Sequence, residues 1–296
     1  MKLRNTAIAL GVGTLTSILI FTPKQLKADN IQTLYKNSIE KYENRNYKGA
    51  IEDLDKAIQL NKDIPQLFYN RGVIKEQEFK DYSGAIDDYE KAINLNPQYI
   101  DAYINLGISK RKIGDERGSC ISYIQAVSLG DKPTEKWFQS RDGSWCKDMA
   151  NNYINAGINK AENLDYINAI IDFNSALEIE PNDTLALSMR ALTKSKIIDY
   201  KGAIEDYNKI LEINPNDAQT YNDRGIIKRF SLDAEGAILD FKKALNLNPE
   251  GRKDYYFNIA LAKTDLKDYE GSILIYNKLI QEDESNPILY ANRGWN

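Results

Sequence analysis

The sequence predicts an all-α fold: a solenoid of antiparallel helix pairs, each pair stacked on the one before. Three observations carry this expectation. One block recurs along the chain: NYKGAIEDLDKAIQLN from Asn46, DYSGAIDDYEKAINLNP from Asp81, DYINAIIDFNSALEIEP from Asp165, DYKGAIEDYNKILEINP from Asp199 and DAEGAILDFKKALNLNP from Asp233. Weaker copies start at Asp115 and Asp268. The small residue that anchors each block falls at Ala50, Ala85, Ser119, Ala169, Ala203, Ala237 and Ser272, in steps of 35, 34, 50, 34, 34 and 35. A period of 34 with one 16-residue insertion accounts for every step, and such a period marks a repeat architecture. Inside a block the apolar spacing is helical. Ala203, Ile204, Tyr207, Ile210 and Leu211 share one face. Tyr221, Gly225 and Lys228 mark a second helix upstream, and Pro97, Pro181, Pro215 and Pro249 stop the later helix of a pair. One pair cannot bury its apolar face alone, so pairs must stack.

The elements follow in order. Residues 1–28 have the layout of a secretory signal. Lys2 and Arg4 precede sixteen uncharged residues, Thr6 to Phe21, and Leu26 and Ala28 suit a cut before Asp29. Sixteen residues fall short of the ~20 that span a bilayer as a helix; an uncleaved signal anchor is the alternative. Removing this segment takes away four basic residues and no acidic ones, lowering the net charge from −4 to −8. So acidic a chain is not expected to bind nucleic acid.

Seven helix pairs are then expected, at 31–65, 66–99, 100–133, 150–183, 184–217, 218–252 and 253–286, with 287–296 opening an eighth. Residues 31–133 form one block of three pairs and 150–286 a block of four. Between them, 134–149 (TEKWFQSRDGSWCKDM) form a helical insertion. A helix can start at Pro133 and run to Ser140, Gly143 breaks it, and Ser144 can begin another that reaches Tyr153. Trp137, Phe138 and Trp145 are expected to pack over the end of the third pair. An exported chain with two cysteines favours a Cys120–Cys146 disulfide over two buried thiols.

The block resembles the tetratricopeptide repeat (TPR) family, in an exported bacterial form. The 34-residue unit of that family has an aromatic at position 4, Gly or Ala at 8, Ala at 20, an aromatic at 24, Ala at 27 and Pro at 32. Residues 218–251 match with Tyr221, Gly225, Ala237, Phe241, Ala244 and Pro249. Residues 66–99 carry Gly72, Ala85, Tyr89, Ala92 and Pro97, with Tyr69 one place from the first aromatic position and one extra residue between Gly72 and Ala85. The first helix of a unit is called A and the second B.

Charges repeat with the helices. Position 11 is Lys in all seven units: Lys41, Lys75, Lys110, Lys160, Lys194, Lys228 and Lys263. Arg71, Arg190 and Arg224 occupy position 7 in units whose position 23 is Asp88, Asp206 or Asp240. A and B are antiparallel, so 7 and 23 lie opposite each other and an Arg–Asp pair is the simplest reading. Lys at 11 is an additional partner, or the sole one for Asp53 and Asp172.

Position 6 reads Asn70, Asn105, Asn155, Asp223, Asn258 and Asn292, broken by Lys36 and Met189. In the TPR family this position faces the concave groove. An amide both donates and accepts, so such a ladder can hold the backbone of an extended peptide; Asn here is equally a common residue of such helices. The resemblance thus implies a non-catalytic module that binds a protein or an extended peptide. The alternative is a membrane-anchored scaffold, with membrane contact only if the N-terminal segment stays uncleaved. The expected location is exported, periplasmic or otherwise extracytoplasmic. The absence of His removes His bases and ligands, and two Cys cannot make a Cys-only zinc site. No enzyme activity, cofactor or metal is expected.

Overall fold

The computed structural model describes residues 23–140 and 142–295. The apolar segment of the expected signal lies outside them, and the expected cut after Ala28 falls within the first helix. Among the described residues every regular element is helical, and no helix is long and apolar enough to cross a membrane.

The chain divides into two compact units between Asp115 and Glu116, within the third expected helix pair. The first unit holds α1 (Pro23–Glu43), α2 (Tyr47–Leu60), α3 (Pro65–Ile74), α4 (Tyr82–Leu95) and α5 (Ile100–Lys112). The second holds α6 (Glu116–Ser128), α7 (Lys132–Phe138), α8 (Trp145–Glu162), α9 (Tyr166–Ile179), α10 (Thr184–Lys196), α11 (Tyr200–Ile213), α12 (Ala218–Phe230), α13 (Ala234–Leu247), α14 (Arg252–Asp265), α15 (Tyr269–Glu282) and α16 (Pro287–Trp295). From α1 to α5, and again from α8 to α16, each helix packs on the next. This is the helix-pair solenoid expected from the period.

Local chemistry sets the helix starts. Asp81, Asp199, Asp233 and Asp268 each accept a hydrogen bond from the backbone N–H of the glycine three residues on, at 2.9–3.0 Å. The side chain supplies one partner for the open N–H groups of the first turn. A Cβ on Gly202 would lie 2.3 Å from the capping carboxylate, so glycine leaves the cap its room. At α9 this place is Asn168. Its amide bonds the Asp165 carboxylate instead, and no side-chain bond caps the helix backbone.

Close approach inside a pair rests on the A-helix glycine and the B-helix aromatic. A Cβ on Gly157 would stand 2.7 Å from Phe173 Cε1, and one on Gly225 2.6 Å from Phe241 Cε1. Both rings are fully buried. Added volume there would push the helices apart.

The second pair carries the extra residue, and the structure absorbs it as a π-helical turn over Lys75–Phe79. A π turn inserts one residue without ending the helix. Here it turns Glu76 inward to 5% exposure. The carboxylate Oε2 accepts from Tyr89 Oη at 2.8 Å and from Ser109 Oγ at 3.1 Å, joining α3, α4 and α5. Burial pushes the Glu76 carboxyl above its ordinary 4.5, against the lowering effects of those two bonds and of Lys80 and Lys112.

The native state therefore binds more protons than the unfolded chain from about 4.5 up to the raised native value. The stabilising contribution is complete below 4.5 and is lost as pH rises through that native value. Measured by urea unfolding, the parent should gain stability relative to Glu76→Gln as pH falls from 7 towards 4.5. A difference that is flat with pH would contradict this.

Candidate functional site

The ion pairs come first because they fix which faces remain open. Arg71 grips Asp88 with Nε at 2.9 Å and Nη2 at 2.5 Å, and its Nη1 reaches Asp55 of the preceding pair at 2.5 Å. Arg190 holds Asp206 at 2.9 and 2.5 Å and Asn174 at 2.7 Å. Arg224 holds Asp240 at 2.8 and 2.6 Å and Asn208 at 2.7 Å. Arg293 on α16 makes the corresponding backward contact, to Asn277 at 2.9 Å. Each complete guanidinium thus uses two nitrogens on its own B helix and one on the B helix before it, as its planar fork allows.

Lysine adds a second cation to Asp88, Asp206 and Asp240 at 2.8–2.9 Å. Lys41 and Lys160 serve Asp53 and Asp172, each at 2.6 Å, and Lys56 stands 3.7 Å from the other Asp53 oxygen. Where the B helix lacks the acid, the lysine turns elsewhere: Lys110 to Glu90 at 3.0 Å, and Lys263 to Asp268. Burial works against the charge on Arg71, but the bonds to Asp88 and Asp55 outweigh it and hold its pKa above the ordinary value. These stripes of charge are neutralised within the fold and leave little for a ligand.

The position-6 residues lie on A helices, Asn70 and Asn105 in the first unit and Asn155, Asp223, Asn258 and Asn292 in the second. The structure gives several of them work inside the fold. Asn70 Nδ2 donates to Tyr35 Oη at 2.8 Å, Asn105 Nδ2 to Tyr69 Oη at 3.1 Å, and Asn258 Nδ2 to Asn222 Oδ1 at 2.8 Å. Each bond links one A helix to the A helix of the preceding pair. Asn292 Nδ2 donates to the Ile288 carbonyl at 2.9 Å. Asn155 on α8 is exposed and makes no side-chain hydrogen bond among the described residues. Asp223 Oδ1 accepts from Gln219 Nε2 at 2.8 Å and from Asn222 Nδ2 at 3.4 Å.

Tyr35, Tyr69 and Asn222, the partners in these bonds, were not among the expected site residues. Their signal is a correlation across units, since each stands 35 or 36 residues before the Asn it meets. Ladder residues are thus of two kinds. Asn70, Asn105 and Asn258 join successive A helices, whereas Asn155 and Asp223 present side chains without such a link.

The insertion forms a satellite core in the second unit. The Tyr123 ring on α6 meets Trp137 at 5.0 Å and Phe138 at 6.4 Å between centroids, and Trp137 meets Trp145 at 6.5 Å. These rings pack together on α6, as their clustering in sequence suggests. Beneath them Cys120 and Cys146 are buried and paired as a disulfide, with Cα atoms 5.7 Å apart. No group of three or more His, Cys, Asp or Glu is placed to hold a metal among the described residues.

Residues 80–114 match a family model described as TPR repeat, and residues 186–217 and 253–286 match one described as tetratricopeptide repeat. With the repeated Gly–aromatic packing and the stacked helix pairs, these matches identify tetratricopeptide repeats within the chain. No curated protein matches this sequence. Among solved structures, a tetratricopeptide repeat protein from Parabacteroides merdae is 16% identical with a TM-score of 0.40, covering 90% of this chain and 98% of its own. PilW, a type IV pilus biogenesis factor, is 16% identical with a TM-score of 0.45, covering 77% and 97%. YrrB, a TPR protein with an unusual peptide-binding site, is 17% identical with a TM-score of 0.33, covering 66% and 92%.

The disulfide closes a loop with a sequence separation of 26 residues. Restricting the unfolded chain by a loop of this size adds about 3 kcal/mol. Replacing both cysteines by Ser should therefore lower stability by about that much. Non-reducing peptide mapping of native protein should recover the two cysteine peptides joined; two free thiols would contradict the pairing.

Proposed function

We propose that this protein is an exported, non-catalytic interaction module that holds an extended segment of a partner protein along its A helices. Repeat solenoids stack their units into long surfaces on which many side chains can act in one line. The observation that carries the reading is the ladder itself. In the second unit successive A helices approach closely enough for Asn258 at position 6 to bond Asn222, the neighbour of position-6 Asp223 on the preceding A helix. Amide and carboxylate groups there offer hydrogen bonds that a peptide backbone can use whatever its side chains. Each contributes a net ~0.5–1.5 kcal/mol, so several in line support micromolar binding.

Asn155 is the clean probe, because its side chain makes no hydrogen bond among the described residues. Peptides selected by the full chain from a random displayed library should bind Asn155→Arg at least tenfold more weakly than the parent, with an unchanged melting temperature. Failure to select any peptide, or selected peptides indifferent to this change, would contradict the reading.

Export is a separate element of the proposal and rests on the N-terminal pattern. Sequencing the native protein from its own cells should give a start near Asp29. Recovery of Met1 would contradict cleavage.

A further inference from the structure

The second unit contains one half-buried carboxylate on an A helix that is handled unlike the others. Asp172, Asp206 and Asp240 on the B helices of that unit each have at least one cation within 2.9 Å. Asp223 on α12 has none among the described residues. Its Oδ1 accepts from Gln219 and, at the limit of a hydrogen bond, from Asn222. No hydrogen bond reaches its Oδ2 among the described residues. The charge that acts on it is another acid, Asp217, which pushes its pKa further up.

The surrounding groups are polarised towards this carboxylate. Asn258 donates to Asn222 Oδ1, and Asn222 turns its own amide nitrogen to Asp223. A carboxylate only accepts, so it fixes the direction of the whole chain of amides. No hydrogen bond reaches Asn258 Oδ1 among the described residues. Tyr207, at 1% exposure, has a hydroxyl with no hydrogen-bond partner among the described residues, and Asp223 is the charge that acts on it most strongly. Burial pushes the Asp223 carboxyl upward, the mark of an anion held out of water without a counter-charge.

A half-desolvated carboxylate flanked by acceptors is complementary to a cation with several donors. A single neutral N–H of a peptide backbone satisfies one lone pair and leaves the charge uncompensated. We infer that Asp223 is the docking point for a Lys or Arg side chain of the bound segment, and that this residue sets the register of the segment on the ladder. The inference rests on the interaction reading above and adds the chemistry of one required ligand residue.

A random dodecapeptide library displayed for selection on the full chain tests it. Peptides selected by the parent should share Lys or Arg at one fixed position, and those selected by Asp223→Asn should lack that preference. Exchanging the shared basic residue for norleucine should weaken binding to the parent at least tenfold and leave binding to Asp223→Asn nearly unchanged. Selected peptides without a fixed basic position, or the same preference in Asp223→Asn, would overturn the inference while leaving the interaction reading intact. No selected peptide at all would overturn the interaction reading, and this inference with it. Asp223→Asn should melt no lower than the parent, since it removes an uncompensated charge. A much lower melting temperature would make Asp223 a structural residue and overturn the assignment.

Discussion

The packing of this chain turns on a carboxylate buried between two helices. Asp88, Asp206 and Asp240 lie almost wholly out of water on the B helices, where an unpaired charge is costly. Each is matched by an arginine fork and a lysine from its own A helix. The third guanidinium nitrogen then reaches back to Asp55, Asn174 or Asn208 in the preceding pair. One side chain thus ties helix A to helix B and each pair to its neighbour. Desolvation consumes much of the Coulomb attraction, so the main consequence is register: a helix that slides by one turn strands a buried anion.

Around this polar spine the apolar packing is steric. Gly72, Gly157 and Gly225 admit the rings of Tyr89, Phe173 and Phe241, which no side chain at those places would allow. The rings differ in their polar ends. Tyr89 finds Glu76, delivered by the π turn, whereas the Tyr207 and Tyr276 hydroxyls are buried without a partner among the described residues. Burial raises the Tyr276 phenol to about 12. The turns between helices carry strain of another kind. Leu164, Ile198 and Leu232 take positive φ values of 66–67°, and all three side chains are exposed. Such backbone costs roughly 1–2 kcal/mol for a residue with a Cβ. Gly114 fills the equivalent place after α5 without that cost.

Much of this was legible in the sequence because the repeats act as replicates. Arg at 7 occurring with Asp at 23 foretold the pairs now seen at 2.5–2.9 Å, and the two cysteines with clustered Trp and Phe foretold the satellite core. What stayed hidden depends on contacts between units or on local geometry. Position 6 reads as a uniform ladder, yet Asn105 bonds Tyr69 whereas Asn155 makes no side-chain hydrogen bond among the described residues, because the residue facing each of them belongs to another repeat. The extra residue after Gly72 is visible as a count. That it becomes a π turn and buries Glu76 follows only from the hydroxyls waiting on α4 and α5. The division between Asp115 and Glu116 falls inside a pair that keeps the regular spacing, so periodicity gives no hint of it.

A double-mutant cycle on Arg224 and Asp240 tests the governing role of the buried pair most directly. Arg224→Ala, Asp240→Ala and the double variant would be compared with the parent by urea unfolding. The account predicts that the double variant is less destabilised than the two single changes added together, by at least ~1.5 kcal/mol, because either single change strands a charge. Effects that add to within ~0.5 kcal/mol would show that the pair does not couple the two helices, and would contradict the account.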